Sequence, residues 1–145
     1  MEPTETKTFD SIAKAYAEAV FAKDQAAFLD LYAPDIIVFD LWETWTYEGS
    51  DAWAGMVKAW FSSLGDEQVK VTFSRLTSET SGDRVLVLGT VRYAHLDASG
   101  QELKSLENRL TWFLRKTDDG WRIAHEHTST PIDPNTLQLM KRDAA

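Results

Sequence analysis

The second half of the chain is a succession of four strand-like segments cut by three short turns, and no other feature narrows the possible folds as much. After Gly65, Val69, Val71 and Phe73 alternate with polar residues. Ser81-Gly82-Asp83 then reads as a turn, and 84–96 as a long strand, apolar on both faces at its start. Asp97-Ala98-Ser99-Gly100 is a second turn, and 103–116 a further strand with Leu106, Leu110, Trp112 and Leu114 on one face. Asp118-Asp119-Gly120 introduces the last strand, 121–130. Side chains alternate across a strand with period two, and strands joined by such short links pair with their neighbours. The segment after Gly65 is therefore expected to be an antiparallel meander, ended by Pro131 and Pro134.

The first half has a helical period. Residues 1–7 are expected to be a loose arm. From Thr8, Phe9, Ile12, Ala13, Tyr16 and Val20 fall on one helix face. Asp24 is placed to cap a second, short helix carrying Phe28, Leu29 and Tyr32, which Pro34 would end. IIVFDLW (36–42) is rich in β-branched and aromatic residues and reads as a strand. After a turn at Tyr47-Glu48-Gly49, Ser50 would cap a third helix bearing Trp53, Met56, Val57, Trp60, Phe61 and Leu64. The tail 135–142 has room for one or two helical turns. Helices followed by a run of strands predict one α+β domain over 1–145, with three N-terminal helices packed on a strongly curved antiparallel sheet.

Charge and composition exclude several functions. The net charge is −8, so binding to a phosphate backbone or an anionic membrane surface is not expected. Without cysteine there is no disulfide and no thiolate chemistry. The polar, acidic start does not read as a signal peptide, and no apolar run approaches a membrane span, so a cytoplasmic protein is expected. Six tryptophans are more bulky aromatic surface than a minimal core needs. They form a Trp-rich core, or some line a pocket.

Several residues carry chemistry in this reading. Asp40 follows the apolar IIVF, and a carboxylate there is costly to ionise, which moves it toward the range of a general base. The alternative is an Asp that accepts N–H bonds from the following loop. Tyr16 and Tyr32 are either core tyrosines with satisfied hydroxyls or donors to a developing oxyanion. His125 and His127, two apart on a strand, share a face with Trp121 and Ile123, while Glu126 points the other way with Arg122 and Ala124. The pair serves as sheet hydrogen-bond partners, as acid and base, or as two ligands of a metal that would need a third from elsewhere. His95 is alone near a strand end and expected to be solvated. Arg92, Glu107 and Arg109 sit inside long strands, where charges pair or face water. Tyr32, Trp42, Trp45, Trp60, Arg92 and Trp112 are candidate substrate contacts, with Glu43, Trp42 and Trp45 at the mouth of a cavity.

Two segments resemble a known superfamily. YAEAVFAKDQAAFLDLYAPDIIVFD (16–40) looks like the part of bacterial ketosteroid isomerases that holds a helix tyrosine, a Tyr-Ala-x-Asp loop and the strand aspartate acting as base. RLTWFLRK with DGWRIAHEHTSTP, within 108–131, is similar to SnoaL-like proteins and to the association domain of the calmodulin-dependent kinase. Together they resemble the ketosteroid-isomerase-like branch of the nuclear transport factor 2-like superfamily over about residues 9–131. The resemblance implies a cone-shaped fold around a small-molecule cavity and puts Asp40 at the position of the base. One departure counts against steroid isomerisation: the isomerases use a second, protonated acid as donor, and around Trp112 and Phe113 there is none.

These readings combine into an enzyme without organic cofactor or metal, acting on an apolar, cyclic or aromatic substrate. Asp40 or a histidine of the 125/127 pair would move a proton, and Tyr16 would stabilise the oxyanion, in an isomerase, cyclase, dehydratase or lyase reaction. The alternatives are a non-catalytic binding or oligomerisation module and a metal-dependent enzyme using the histidine pair. A homodimer through the second face of the sheet is expected.

Overall fold

The computed structural model describes residues 3–141. Three helices, α1 (Pro3–Ala22), α2 (Gln25–Leu29) and α3 (Ser50–Ser63), accompany six strands: β1 (Tyr32–Phe39), β2 (Tyr47–Glu48), β3 (Gln68–Ser81), β4 (Arg84–Leu96), β5 (Glu102–Thr117) and β6 (Gly120–Ser129). They form one curved sheet in the order β2-β1-β6-β5-β4-β3. The predicted α+β class and the meander from β3 to β6 hold. The sheet is not wholly antiparallel, because β1 lies parallel to β6 at the far edge.

The helices cover one face, α1 along β3 and α3 against β1 and β2. Between helices and sheet lies a core in which Val20, Phe28, Ile36, Val38, Val57, Val87, Val91, Leu114 and Ile123 are fully buried. Among the described residues no helix is long and apolar enough to cross a membrane.

Several boundaries differ from the sequence reading. Helix α1 starts at Pro3, so residues 3–7 are not a loose arm; residues 1 and 2 lie outside the described residues. Proline at the first helical position forfeits no hydrogen bond, and the polar residues after it carry no apolar period to betray the helix. Asp24 does cap α2, accepting from the Ala27 N–H at 3.0 Å. The helix ends at Leu29, however, and Tyr32 already opens β1. Pro34 instead sits inside β1, where the pairing with β6 slips between Tyr32 and Ile37, a place that does not need its N–H. Gly49, at φ 88°, occupies the N-cap of α3 and Ser50 is its first residue. Over its described residues, up to 141, the tail does not form helix: it folds back in a loop closed by a bridge between Ile132 and Leu139.

Candidate active site

A break in the alternation of β6 decides which side chains reach the interior. Leu114 pairs with Ile123 but Phe113 pairs with His125, so Ala124 is an extra residue, a β-bulge. Beyond it every side chain changes face. Glu126 therefore points inward opposite Trp112, while His125 and His127 turn to the outer face opposite Phe113 and Thr111. The expectation that the histidines share a face with Ile123 and that Glu126 points away is reversed. His125 Nδ1 lies 2.7 Å from the Ile37 carbonyl, and both imidazoles meet the Phe39 ring edge-on. Neither lines the cavity, and among the described residues no three candidate ligands gather around a metal position.

The cavity itself has a volume of about 670 Å³ and lies between the inner face of the sheet and α3. That is ample for a molecule of two or three rings. Tyr16, Tyr93, Trp53, Asn108 and Glu126 line it, with Trp60 and Met56 from α3 and with Asp40 and Trp42 after β1. Tyr16 is braced by Phe28, Phe73 and Trp112, whose ring centroids lie 4.9, 5.5 and 5.9 Å from its own.

Glu126 is the most constrained polar group, only 2% exposed. Its Oε1 accepts from the Tyr32 hydroxyl at 2.7 Å and from the Trp112 indole N–H at 2.9 Å. Both bonds fall on one oxygen, and among the described residues none reaches Oε2. Burial pushes this carboxyl up to about 7; the bonds from Tyr32 and Trp112 hold it back, and the charge of Asp40 adds to the rise. Tyr32 and Trp112, expected to touch substrate, thus stand behind the cavity wall and hold the acid.

Asp40 follows the last residue of β1 and lines the cavity. Its Oδ1 accepts from the Thr128 hydroxyl at 3.2 Å. Partial burial raises its carboxyl, opposed by that bond and by the Trp42 and Leu41 N–H groups. The influence of these loop N–H groups agrees with the structural alternative, yet the carboxylate also faces the cavity. Tyr16 and Tyr93 join hydroxyls at 2.6 Å. Burial lifts both well above an ordinary tyrosine, and Tyr32 likewise, so all three keep their protons and act as donors.

Among the remaining candidates, Trp42 and Trp60 line the cavity, but Trp45 is 94% exposed and outside it. Arg92 is bound to Glu102 at 2.7 Å, and Arg109 to Ser129 at 3.2 Å, both outside the cavity. His95 is not simply solvated: its Nδ1 lies 3.1 Å from Glu67 Oε1 at the cavity mouth. Sequence reasoning missed Tyr93, Asn108 and Glu126. Tyr93 did carry a signal, since it continues the period-two row Val85, Val87, Val91 into the core.

The family model for the SnoaL-like domain matches residues 10–133. No curated protein matches the chain. Among solved structures, an NTF2-like protein of unknown function from Pseudomonas putida superposes with a TM-score of 0.87 at 21% identity, covering 100% of this chain and 99% of its own. Aln2 from a Streptomyces species gives 0.78 at 12% identity, over 89% of this chain and 92% of that one. A protein of unknown function with a cystatin-like fold from Nostoc punctiforme gives 0.72 at 12%, over 92% and 95%. At these identities the likeness is one of fold.

Proposed function

The chain belongs to the SnoaL-like domain family, and from that premise we propose that it is a small-molecule enzyme, working without organic cofactor, that moves a proton on an apolar cyclic or aromatic carbonyl compound. The observation that carries this reading is the pairing of two carboxyl groups, Asp40 and Glu126, on one aromatic-walled cavity beside the Tyr16–Tyr93 hydroxyl pair.

The environments of the two acids divide the work. Asp40, the less buried and held by the Thr128 hydroxyl, ionises more readily and acts as the base. Glu126 keeps its proton up to about pH 7. With Oε1 saturated, that proton sits on Oε2. As Asp40 removes a proton next to the carbonyl, the C–H electron pair moves into an enolate, whose oxygen takes a hydrogen bond from the tyrosine pair. Glu126 then gives its proton, to another carbon in an isomerisation or to a departing hydroxyl in a dehydration, and release of the Asp40 proton to water with uptake of one by Glu126 restores both acids. Separated acid and base strengths in one site are what such chemistry requires.

The test does not need the natural substrate. Exchange of the α-protons of 2-tetralone in D₂O, followed by NMR, reports proton abstraction directly. The wild-type protein should accelerate it, and Asp40→Asn should cut the acceleration by about 10²–10⁴-fold. Exchange that is undiminished in Asp40→Asn would remove Asp40 from the mechanism. Binding of the ketone with no exchange in the wild-type protein would assign the chain to the non-catalytic, ligand-binding alternative instead.

A further inference from the structure

One polar side chain on the cavity wall has no role in the proton transfer outlined above. Asn108 lies on β5 opposite Val91, two residues from the Leu106–Tyr93 pair, and faces inward. Its side chain is enclosed, with the residue only 5% exposed. The Thr130 hydroxyl donates its one proton to Asn108 Oδ1 at 2.7 Å, the shorter of its two contacts (the Glu107 carbonyl lies at 3.0 Å), and this ties the amide oxygen to the end of β6. Among the described residues nothing accepts a hydrogen bond from Asn108 Nδ2. Nor is that nitrogen sealed off: among the described residues, the one fully enclosed polar side-chain atom left without a partner is Trp53 Nε1. Asn108 lines the cavity, and with its oxygen bound to Thr130 the amide N–H groups are the end of the side chain left to meet a ligand there.

An amide donor that opens onto a cavity and has no acceptor in the protein is available to an acceptor on a bound ligand. The tyrosine pair leaves room for a second donor. When one of its two hydroxyls donates to the other, a single O–H remains for a ligand. A developing oxyanion is better held by two.

We propose that Asn108 is a substrate-recognition residue whose Nδ2 donates to the carbonyl oxygen of the bound compound alongside the Tyr16–Tyr93 pair. The inference rests on the reading of the cavity as a carbonyl site and names what that site selects. It takes an aromatic or cyclic body carrying a hydrogen-bond acceptor, and it discriminates against a hydrocarbon of the same shape. The amide stays neutral and keeps its protons, so its contribution is to binding and orientation.

Two probes of matched shape test this: 2-acetylnaphthalene, which accepts a hydrogen bond, and 2-isopropylnaphthalene, which does not. Their dissociation constants can be read from quenching of tryptophan fluorescence. The wild-type protein should prefer the ketone by about tenfold or more. Asn108→Leu, close in size and without a donor, should bring the ratio well down toward one. Asn108→Ala should do the same, because any space it opens affects both probes and cancels in the ratio. An undiminished ketone preference in both variants overturns the proposal while leaving the proton-transfer reading standing, since that is scored separately by α-proton exchange. Failure of 2-acetylnaphthalene to bind the wild-type protein overturns the carbonyl-site reading and this inference with it.

Discussion

Asp40 and Glu126 differ in how they meet solvent, and that difference gives each a distinct signature under mutation. Asp40→Asn keeps shape and most hydrogen bonds, so the melting temperature should move little while exchange falls. A loss of stability of about 1 kcal/mol or more with exchange intact would mark Asp40 as a structural acceptor. Tyr16→Phe removes one hydroxyl of the donor pair and should reduce exchange by a factor comparable to or smaller than Asp40→Asn. For Glu126 the pH dependence is diagnostic. Its folded-state value of about 7 lies above the ordinary 4.5, so the folded state holds that proton more tightly than the unfolded chain. The associated stability is therefore complete below pH 4.5 and is lost as pH rises through 7, an amount on the order of 3 kcal/mol. Glu126→Gln lacks this titration. The stability of wild type minus Glu126→Gln, measured by urea unfolding, should fall between pH 4.5 and pH 8, and a flat difference would contradict the assignment. Taking the difference removes the opposing acid-side contributions of Asp35, Asp97 and Glu102, whose carboxyls are held below the usual range by hydrogen bonds. Asp40 and Tyr16 were legible in the sequence because each continues a regular period: Asp40 ends an apolar strand, and Tyr16 lies on an apolar helix face. Glu126 was not, because its facing depends on an irregularity.

At the level of elements, regular periods gave the right elements and their breaks gave the errors. The alternation in β3, β4 and β5 and the helical period of α1 and α3 place most of the core. The Ala124 bulge has no turn residue to announce it, since alanine fits a strand or a bulge equally well, and missing it inverted the histidines and the glutamate. The same holds at β1, where Pro34 marks a slip in pairing and not the end of a helix. A second irregularity is open to test. Pairing of β3 with β4 shifts between Ser74 and Thr77, with Arg75 at φ 57°, and this kink lies over Gly89. A Cβ on Gly89 would sit 2.6 Å from Leu76 Cδ2, 2.9 Å from the Ser74 carbonyl oxygen and 3.2 Å from Leu76 Cα. The leucine tip can swing away, but the backbone atoms cannot move without disturbing the kink. Gly89→Ala should therefore destabilise by about 1–3 kcal/mol, although alanine is the better strand residue elsewhere. A calorimetric melting temperature equal to or above wild type would show that the kink yields freely.

The whole molecule has two unequal faces, and the outer one remains to be explained. Two rows cross the outside of the sheet, Ile37, His125, Phe113 and Leu86 in one and Phe39, His127, Thr111 and Leu88 in the other, set side by side by the pairing of β1, β6, β5 and β4. Ile37, Phe39, Leu86 and Leu88 are 38–46% exposed. Exposed apolar residues gathered on one sheet face in this way are a common mark of an interface. We expect its occupant to be a second copy of the chain, since one face carrying exposed apolar residues can pair with its own copy about a two-fold axis. Opposing this is a net charge of −8 on each copy, so association should strengthen as salt screens the repulsion. Sedimentation velocity at micromolar concentration should give a dimer, more completely at 0.5 M than at 0.02 M sodium chloride. Leu88→Glu places a charge at the β4 end of the patch and should yield monomer. Because the cavity opens on the opposite face of the sheet, that monomer should still bind 2-acetylnaphthalene with near wild-type affinity, unless the interface also braces β6 and with it Glu126. A clean monomer mass for the wild-type chain at both salt concentrations would sink the expectation of a dimer and leave the outer face to a different partner.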